Sequence, residues 1–359
     1  MVDILVDIDG KEGKGMALKK SVTIYDIAIE AGVSPATVSR VLTGSAKVSR
    51  AKKERVENII RKYDFKPNAL ARGLSETKSN TIGMIVADIR NPFYATLFVE
   101  CERAATRFGY TLMVCNTLGE PELENRYLEK MYEQRVDAII KVGGRVDELV
   151  SNIAFVDHVN RIANTIPVII TGKLDGSDCY RVNIDEMQAM ELLMRYMISL
   201  GHQDIALIGG RGNVQSTVDK RSRYKQLLKR YGINVRKEYI VEGKKYDDES
   251  GYQCMQKLFE LDHLPSAVIA INDFTAVGAM RAIHERGIAI PDDISVASFD
   301  NTFIAEVTTP KLTSISYNYQ KFGEKIIDTA MKAIGGEETT RIQLIPSELV
   351  IRDSCRKLS

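Results

Sequence analysis

The hydrophobic pattern changes period once along the chain, near residue 80. Before that point apolar positions recur at helical spacing: Ile24, Ile27, Ala28 and Ala31 on a first face, Val38, Val41 and Leu42 on a second, Val56, Ile59 and Ile60 on a third. Start and stop signals frame these runs. Thr23 with Asp26 three positions on forms a capping box with Asp in place of Glu. Gly32 supplies the left-handed stop, Ser34 and Pro35 restart the chain as cap and first helical residue, and Ser49 opens a third helix from about Arg50 to Tyr63. Two short helices around a glycine corner predict a helix-turn-helix in an all-α headpiece, with an αα-hairpin that meets no nucleic acid as the alternative.

Beyond the polar stretch SETKSN the period changes. Near-continuous apolar runs (TIGMIVADI, TLMVCN, VDAIIKVGG, PVIITG, DIALIGG, AVIAIN, ISVASFD) alternate with helical stretches such as PFYATLFVECERAATRFGY, EMQAMELLMRYMISL and FTAVGAMRAIHERG. Strand then helix, with strands apolar on both faces, predicts an α/β fold of doubly wound parallel sheets. The remaining length, about 280 residues, exceeds what one core holds and leaves room for two such sheets.

In open parallel sheets ligands sit outside the carboxyl ends of the strands. The residues found there are Asp88, Asn116, Gly143, Gly144, Gly172, Gly209, Gly210, Asn272, Asp273 and Asp300. Singly, an Asp after a strand is more often a helix cap than a ligand contact. Together they describe a polar, glycine-lined cleft.

Charge sharpens this picture. The net charge is only +1, yet Lys19 to Ser79 carries 13 Lys and Arg against 6 Asp and Glu, which leaves the body mildly acidic. A basic head on an acidic body points to a polyanion that meets the head alone. The outward residues of the second helix, Pro35, Ala36, Thr37 and Ser39, are small enough for the backbone to approach base edges. Thr37 and Ser39 can donate to phosphates or bases, and Arg40 can form a bidentate contact to guanine.

Composition excludes other classes. No apolar run approaches the roughly 20 residues of a membrane span, and no basic region with an apolar core opens the chain, so the expected address is the cytoplasm, with no membrane partner. Five dispersed cysteines read as small core residues, not as disulfides or a metal site. IALIGGRGN lacks a complete dinucleotide fingerprint, and phosphate-loop, zinc-protease and nucleophile-elbow motifs are missing. The four histidines are scattered, and His202 in LGHQ reads as structural. No catalytic residue, cofactor or metal is expected.

TIYDIAIEAGVSPATVSRVLTG, followed by KVSRAKKERVENIIRKYDFKPNALARGL, closely resembles the LacI/GalR family of bacterial transcriptional repressors. The resemblance continues through ISLGHQDIALIGG, IAINDFTAVGAMRAI, PDDISVASFDN and PKLTSISYNYQKFGEKI. It implies that Thr23, Tyr25, Ser34 and Ser39 hold phosphates while Pro35, Ala36 and Arg40 face bases. Asn68 to Leu74 would be a hinge helix that folds on DNA, bringing Asn68 and Ala71 to the duplex and wedging Leu74 into the minor groove; the family spacing N-x-x-A-R-x-L stands intact as NALARGL. The implied organisation is an extension over 1–20, expected to be disordered and given no function, with Met16 as the natural start. A DNA-binding domain follows over 21–66, then a hinge and linker over 67–79. A periplasmic-binding-protein-like core completes it, with subdomains 80–183 plus 318–345 and 184–317 plus 346–359.

In that core Asn272 and Asp300 would hydrogen-bond an effector, and Phe93 or Tyr94 would cover its flat face. Where the family has an Arg, this chain has Lys220, with Arg221 as a substitute one position on. That departure weakens the case for an ordinary sugar or purine, and leaves a protein corepressor, as in catabolite-control members, as the alternative. The expected function is a sequence-specific repressor, binding a palindromic operator as a homodimer joined along Phe93 to Phe108 and controlled by a sugar-like or purine-like effector. No terminal leucine heptads suggest a coiled-coil tetramer. The runner-up, a solute-binding protein of the same core fold, has no use for a basic helical head.

Overall fold

A computed structural model of the chain describes residues 22–42, 48–65 and 78–358. It divides into two units, Met1–Thr77 and Lys78–Ser359. In the first, α1 (Ile24–Ala31), α2 (Pro35–Leu42) and α3 (Arg50–Lys62) enclose a small core of Ile27, Ala28, Ala31, Val38 and Val56. The capping box at Thr23 is formed: the Thr23 amide donates to Asp26 Oδ2 at 2.8 Å, and the Asp26 amide donates back to Thr23 Oγ1 at 3.3 Å. Gly32 ends α1 at φ 63°, where a non-glycine residue is strained. Ser34 opens α2 by accepting the Thr37 amide at 3.3 Å. Ser49 occupies the cap position of α3 but makes no side-chain cap bond; its place in the sequence was a sound marker, its hydroxyl was not.

The second unit holds two six-stranded sheets. The first contains β1 (Thr81–Val86), β2 (Thr111–Asn116), β3 (Ala138–Val142), β4 (Val168–Thr171), β5 (Tyr180–Ile184) and a late strand, β11 (Ile342–Ile345), in the order β11-β5-β4-β3-β1-β2, all parallel. The second contains β6 (Ile205–Ile208), β7 (Ile240–Val241), β8 (Ala267–Ala270), β9 (Ser295–Asp300), β10 (Thr313–Ser316) and β12 (Glu348–Val350), in the order β12-β10-β9-β8-β6-β7. Here β12 runs antiparallel to β10, so this sheet is parallel except at one edge.

Helices cover both faces, as nearly continuous apolar strands require. In the first lobe α5 (Pro121–Glu133) and α6 (Ile153–Ala163) bury Leu128, Met131, Phe155 and Ile162 against Ile85, Ile139 and Ile170. On the opposite face lie α4 (Pro92–Arg107) and α12 (Tyr319–Gly335) with Leu97, Phe322 and Ile326. In the second lobe α7 (Glu186–Ser199) and α8 (Gln215–Arg230) place Leu193, Met197 and Leu227 on one face. The other face takes α9 (Asp248–Leu258) and α10 (Asp273–Glu285), packed with Met255, Ala279 and Ile283 inward. A short α11 (Ile304–Val307) follows β9.

The chain passes between lobes three times: from β5 to α7, from β10 to α12, and from β11 to β12. These crossings place the carboxyl ends of both sheets on a shared cleft. The dispersed cysteines are all free, with Cys101, Cys179 and Cys254 buried, as expected of core residues. His202 is also structural: it is buried, shares a hydrogen bond with Ser266 Oγ at 2.9 Å and with the Arg356 carbonyl at 3.2 Å, and desolvation lowers its pKa.

Candidate nucleic-acid interface and effector cleft

On the head, the packing that builds the core also decides which residues are left outward. Val38 is buried, so neighbouring positions of α2 turn outward: Ala36 and Arg40 are exposed, while Pro35, Thr37 and Ser39 are half-buried. Thr23 and Ser34 are exposed at the two helix starts, and Tyr25 on α1 is 66% exposed. An exposed tyrosine, two cap hydroxyls, a helix of small residues and an arginine thus share one compact unit. Glu30 draws Lys62 (2.6 Å) and Tyr63 (2.7 Å) together, tying α1 to α3. Asn68, Ala71 and Leu74 lie outside the described residues.

In the body, the cleft encloses a cavity of about 860 Å³, within the size range of small-molecule sites. Asn91 caps α4 by accepting the Phe93 amide at 3.0 Å, and this sets Phe93 and Tyr94 in the first turn, both lining the cavity. Phe93 meets Tyr94 edge to face at 5.1 Å between centroids and Tyr317 at 6.1 Å. Burial pushes the Tyr94 hydroxyl above its ordinary range, so it stays neutral and able to donate.

Asn272 and Asp300 also line the cavity. Asn272 does local work as well: it caps α10 by accepting the Thr275 amide at 2.8 Å, and it donates to the Tyr246 carbonyl at 3.2 Å. Asp300 ends β9 at φ 95°, followed by Asn301 at φ 50°. Such backbone costs about 1 to 3 kcal/mol for a residue with a side chain and is concentrated at functional sites. Lys220 reaches the cavity from α8, but its Nζ lies 2.5 Å from Glu186 Oε2 and 5.1 Å from the Phe299 ring centre. Arg221 is a correction. It does not line the cavity; its guanidinium donates to the Gly209 and Gly210 carbonyls, each at 3.0 Å, and pairs with Glu242. Adjacent positions on a helix point about 100° apart, so Lys220 and Arg221 cannot both face the cleft.

Two acidic residues that sequence reasoning passed over are also here. Asp147 follows β3 and crosses to the second lobe, accepting the Ser216 hydroxyl at 2.6 Å and the Ser216 amide at 3.3 Å. Beside it a bridge joins Glu148 to Val214, and the Leu149 amide donates to the Asn213 carbonyl at 2.9 Å. Glu186, at the start of α7, holds Lys220. Neither lies in a motif; each is brought in by a loop or a crossing.

Comparison with known proteins decides the family. Residues 23–68 match bacterial regulatory proteins of the lacI family, and residues 194–355 match the periplasmic binding protein-like domain. Catabolite control protein A of Priestia megaterium is 33% identical over 340 residues, covering 94% of this chain and 100% of that protein. The chain belongs to the lacI family. It is a DNA-binding transcriptional regulator, and its relatives are regulators, not enzymes. The HTH-type transcriptional repressor PurR of Histophilus somni is 32% identical over 345 residues, spanning 94% of this lacI-family chain and 99% of that protein. Among solved structures, a lac repressor dimer bound to operator and the anti-inducer ONPF superimposes with a TM-score of 0.79 at 25% identity, covering 94% of this chain and 100% of that one. No helix among the described residues of the regulator is long and apolar enough to cross a membrane. No group of three or more His, Cys, Asp or Glu side chains among them is placed to hold a metal ion.

Proposed function

We propose that this regulator represses transcription in the cytoplasm by binding a palindromic operator as a homodimer, under the control of a small molecule held between its lobes. One observation carries the reading: a single chain joins a basic helix-turn-helix, with small residues and an arginine outward on α2, to a two-lobed body enclosing a cavity. In this reading α2 enters the major groove. Pro35, Ala36 and Arg40 lie toward base edges, and Thr23, Tyr25, Ser34, Thr37 and Ser39 toward phosphates or nearby bases. Asn68, Ala71 and Leu74 complete the interface at the minor groove, Leu74 as the wedge. Thr23 donates its hydroxyl proton to Asp26 Oδ2 at 2.7 Å and Ser34 shares a hydrogen bond with the Thr37 hydroxyl at 2.9 Å, so in this reading each orders its helix start and meets the duplex with what hydrogen-bonding capacity is left.

The effector sits among Phe93, Tyr94, Lys220, Asn272 and Asp300. A ligand that binds one arrangement of the lobes better than the other changes operator affinity by that difference in free energy. A protein corepressor remains a second reading, favoured by the likeness to a catabolite control protein and by Lys220, whose ammonium is already engaged by Glu186.

Arg40→Ala tests the readout. A bidentate arginine–guanine contact discriminates by about 1 to 3 kcal/mol, so the variant is expected to lose roughly that preference at one position of each half-site while keeping its salt-dependent, non-specific affinity. Competition binding against single-base operator variants measures it, and an unchanged base preference removes Arg40 from the readout.

A further inference from the structure

The centre of the cleft gathers carboxyl groups around one lysine, and one of those carboxyls has no hydrogen-bond donor among the described residues. Among the many charged residues that line the cavity, Asp147, Glu186 and Asp300 gather around the Lys220 ammonium. The ammonium is taken up by Glu186, which also accepts the Tyr317 hydroxyl at 3.3 Å. Asp147 has Ser216. Asp300 stands apart: it is only 6% exposed, it lines the cavity, and among the described residues no donor hydrogen-bonds its carboxylate.

Relief from behind is blocked as well. The neighbouring Asp273 carboxylate is already satisfied, by the Ser298 and Ser314 hydroxyls at 2.5 and 2.7 Å and by the Thr302 amide and hydroxyl at 2.6 and 3.0 Å. It therefore presents Asp300 with negative charge and no donor. Desolvation, then Asp273 and Glu186, hold the Asp300 carboxyl well above the usual range against the opposing pull of Lys220. Burial raises Glu186 too, and brings Asp147 up to about 7. The groups facing Asp300 are thus Asp273, Glu186 and Lys220, with the hydroxyls of Tyr317 and Tyr319 nearby, while Asp147 faces Ser216, Glu186, Lys220, Tyr94 and Tyr246.

Burying an ionised carboxylate without a donor is costly, which is why the Asp300 carboxyl favours its protonated form, and a ligand that brings a cation or a set of hydroxyl donors would favour the ionised form instead. The aromatic wall adds to the demand for a cation. Phe93 and Tyr94 line the cavity with ring surface that attracts positive charge or accepts the apolar face of a saturated ring, while the Tyr317 ring already has the Lys220 ammonium 5.7 Å from its centre. Of the other cationic residues lining the cavity, Arg90 is bound to Asp88 at 2.7 Å and Arg145 to Glu124 at 2.7 Å, while Arg211, Lys244 and Lys245 line it together with Asp219, Asp247 and Asp248.

We propose that the effector is a polyhydroxylated ring bearing a protonated amine, an amino sugar in the simplest case, with its ammonium on Asp300 and its ring against Phe93 and Tyr94. This assignment rests on the reading of the cleft as the effector site. Isothermal titration of the full chain with glucosamine, galactosamine and mannosamine, each beside glucose, galactose and mannose, and with glucose 6-phosphate as the anionic counterpart, tests it. At least one amine is expected to bind about tenfold or more tighter than its neutral parent, and Asp300→Asn, checked for folding by circular dichroism, is expected to erase that preference. A neutral or phosphorylated sugar that binds as tightly as the amines overturns the assignment, as does failure of every amine to bind. Operator affinity measured with the same sugars separates the two claims. A neutral sugar that alters DNA binding sinks the amine preference and leaves the cleft regulatory. An amine that binds as expected but leaves DNA binding unchanged supports the preference and removes the regulatory role.

Discussion

Gly278→Ala is expected to destabilise the second lobe by about 2 kcal/mol or more, the net of a gain and a larger loss. Alanine improves helix propensity by about 1 kcal/mol. Yet a Cβ at Gly278 on α10 would come within 2.7 Å of the Tyr252 amide nitrogen on α9 and closer still to the Asp248 carbonyl oxygen. Both neighbours are backbone, so no side chain can swing aside, and the helices would have to part by more than about 1 Å to reach ordinary contact near 3.5 Å. Overpacking of this kind costs about 3 kcal/mol or more when rigid elements must move. Gly251, on the facing helix, is held equally close to the Thr275 carbonyl, so the two glycines make one tight seam. Gly335→Ala serves as the control, since its Cβ would meet nothing closer than the Glu337 side chain at 3.5 Å. Thermal unfolding of the three proteins checks the seam; equal stability of parent and Gly278→Ala would contradict it.

Stability of the body is expected to fall as pH rises from about 5 to about 8, by at least about 1 kcal/mol, since each unit of pKa difference is worth about 1.4 kcal/mol. Asp147 is the main cause. Its ordinary value is 3.8, and burial lifts it to about 7 in the folded chain. Between those values the folded protein holds a proton that the unfolded chain has lost, so raising the pH favours unfolding until the folded carboxyl has ionised. Glu186 and Asp300 shift in the same direction. Asp88 and Glu191 are held low, by hydrogen bonds from Arg90 and Arg223, and their stabilisation is lost only in stronger acid, below the ordinary carboxylate range. Asp147→Asn keeps an oxygen for Ser216 but cannot ionise. Its unfolding temperature is expected to vary less with pH and to exceed the parent's at about pH 8. A parent whose stability is flat or rises over that interval would show that Asp147 is not buried as described.

The parts of this molecule that were legible in the sequence are those whose signals are local. The capping box of Thr23 and Asp26, the Gly32 corner and the inward Ile27, Ala28, Ala31 and Val38 depend on neighbours within one turn, and each is in place. The central strands could be read because burial on both faces leaves unbroken apolar runs such as Ile82 to Val86. Edge and crossing strands were harder. Tyr180–Ile184 and Ile342–Ile345 alternate in burial, Ile240–Val241 is only two residues long, and antiparallel Glu348–Val350 follows a lobe crossing. In the cleft, residues directly after strands, Asn272 and Asp300, were found because sheet topology puts them there. Asp147, Glu186 and Ser216 were not, since a loop, a crossing and a helix start bring them together from separate stretches of chain. Arg221 was misjudged because its chemistry suited the cleft while its helical phase did not.

The most direct test of the central claim is selection of duplexes by the purified full chain from a random-sequence library, followed by binding of the enriched duplex over a range of salt. The account predicts enrichment of a two-fold symmetric sequence, with affinity that falls steeply as salt rises and disappears when residues 1–77 are removed. Recovery of no common sequence, or equal and salt-insensitive retention with and without those residues, would contradict it.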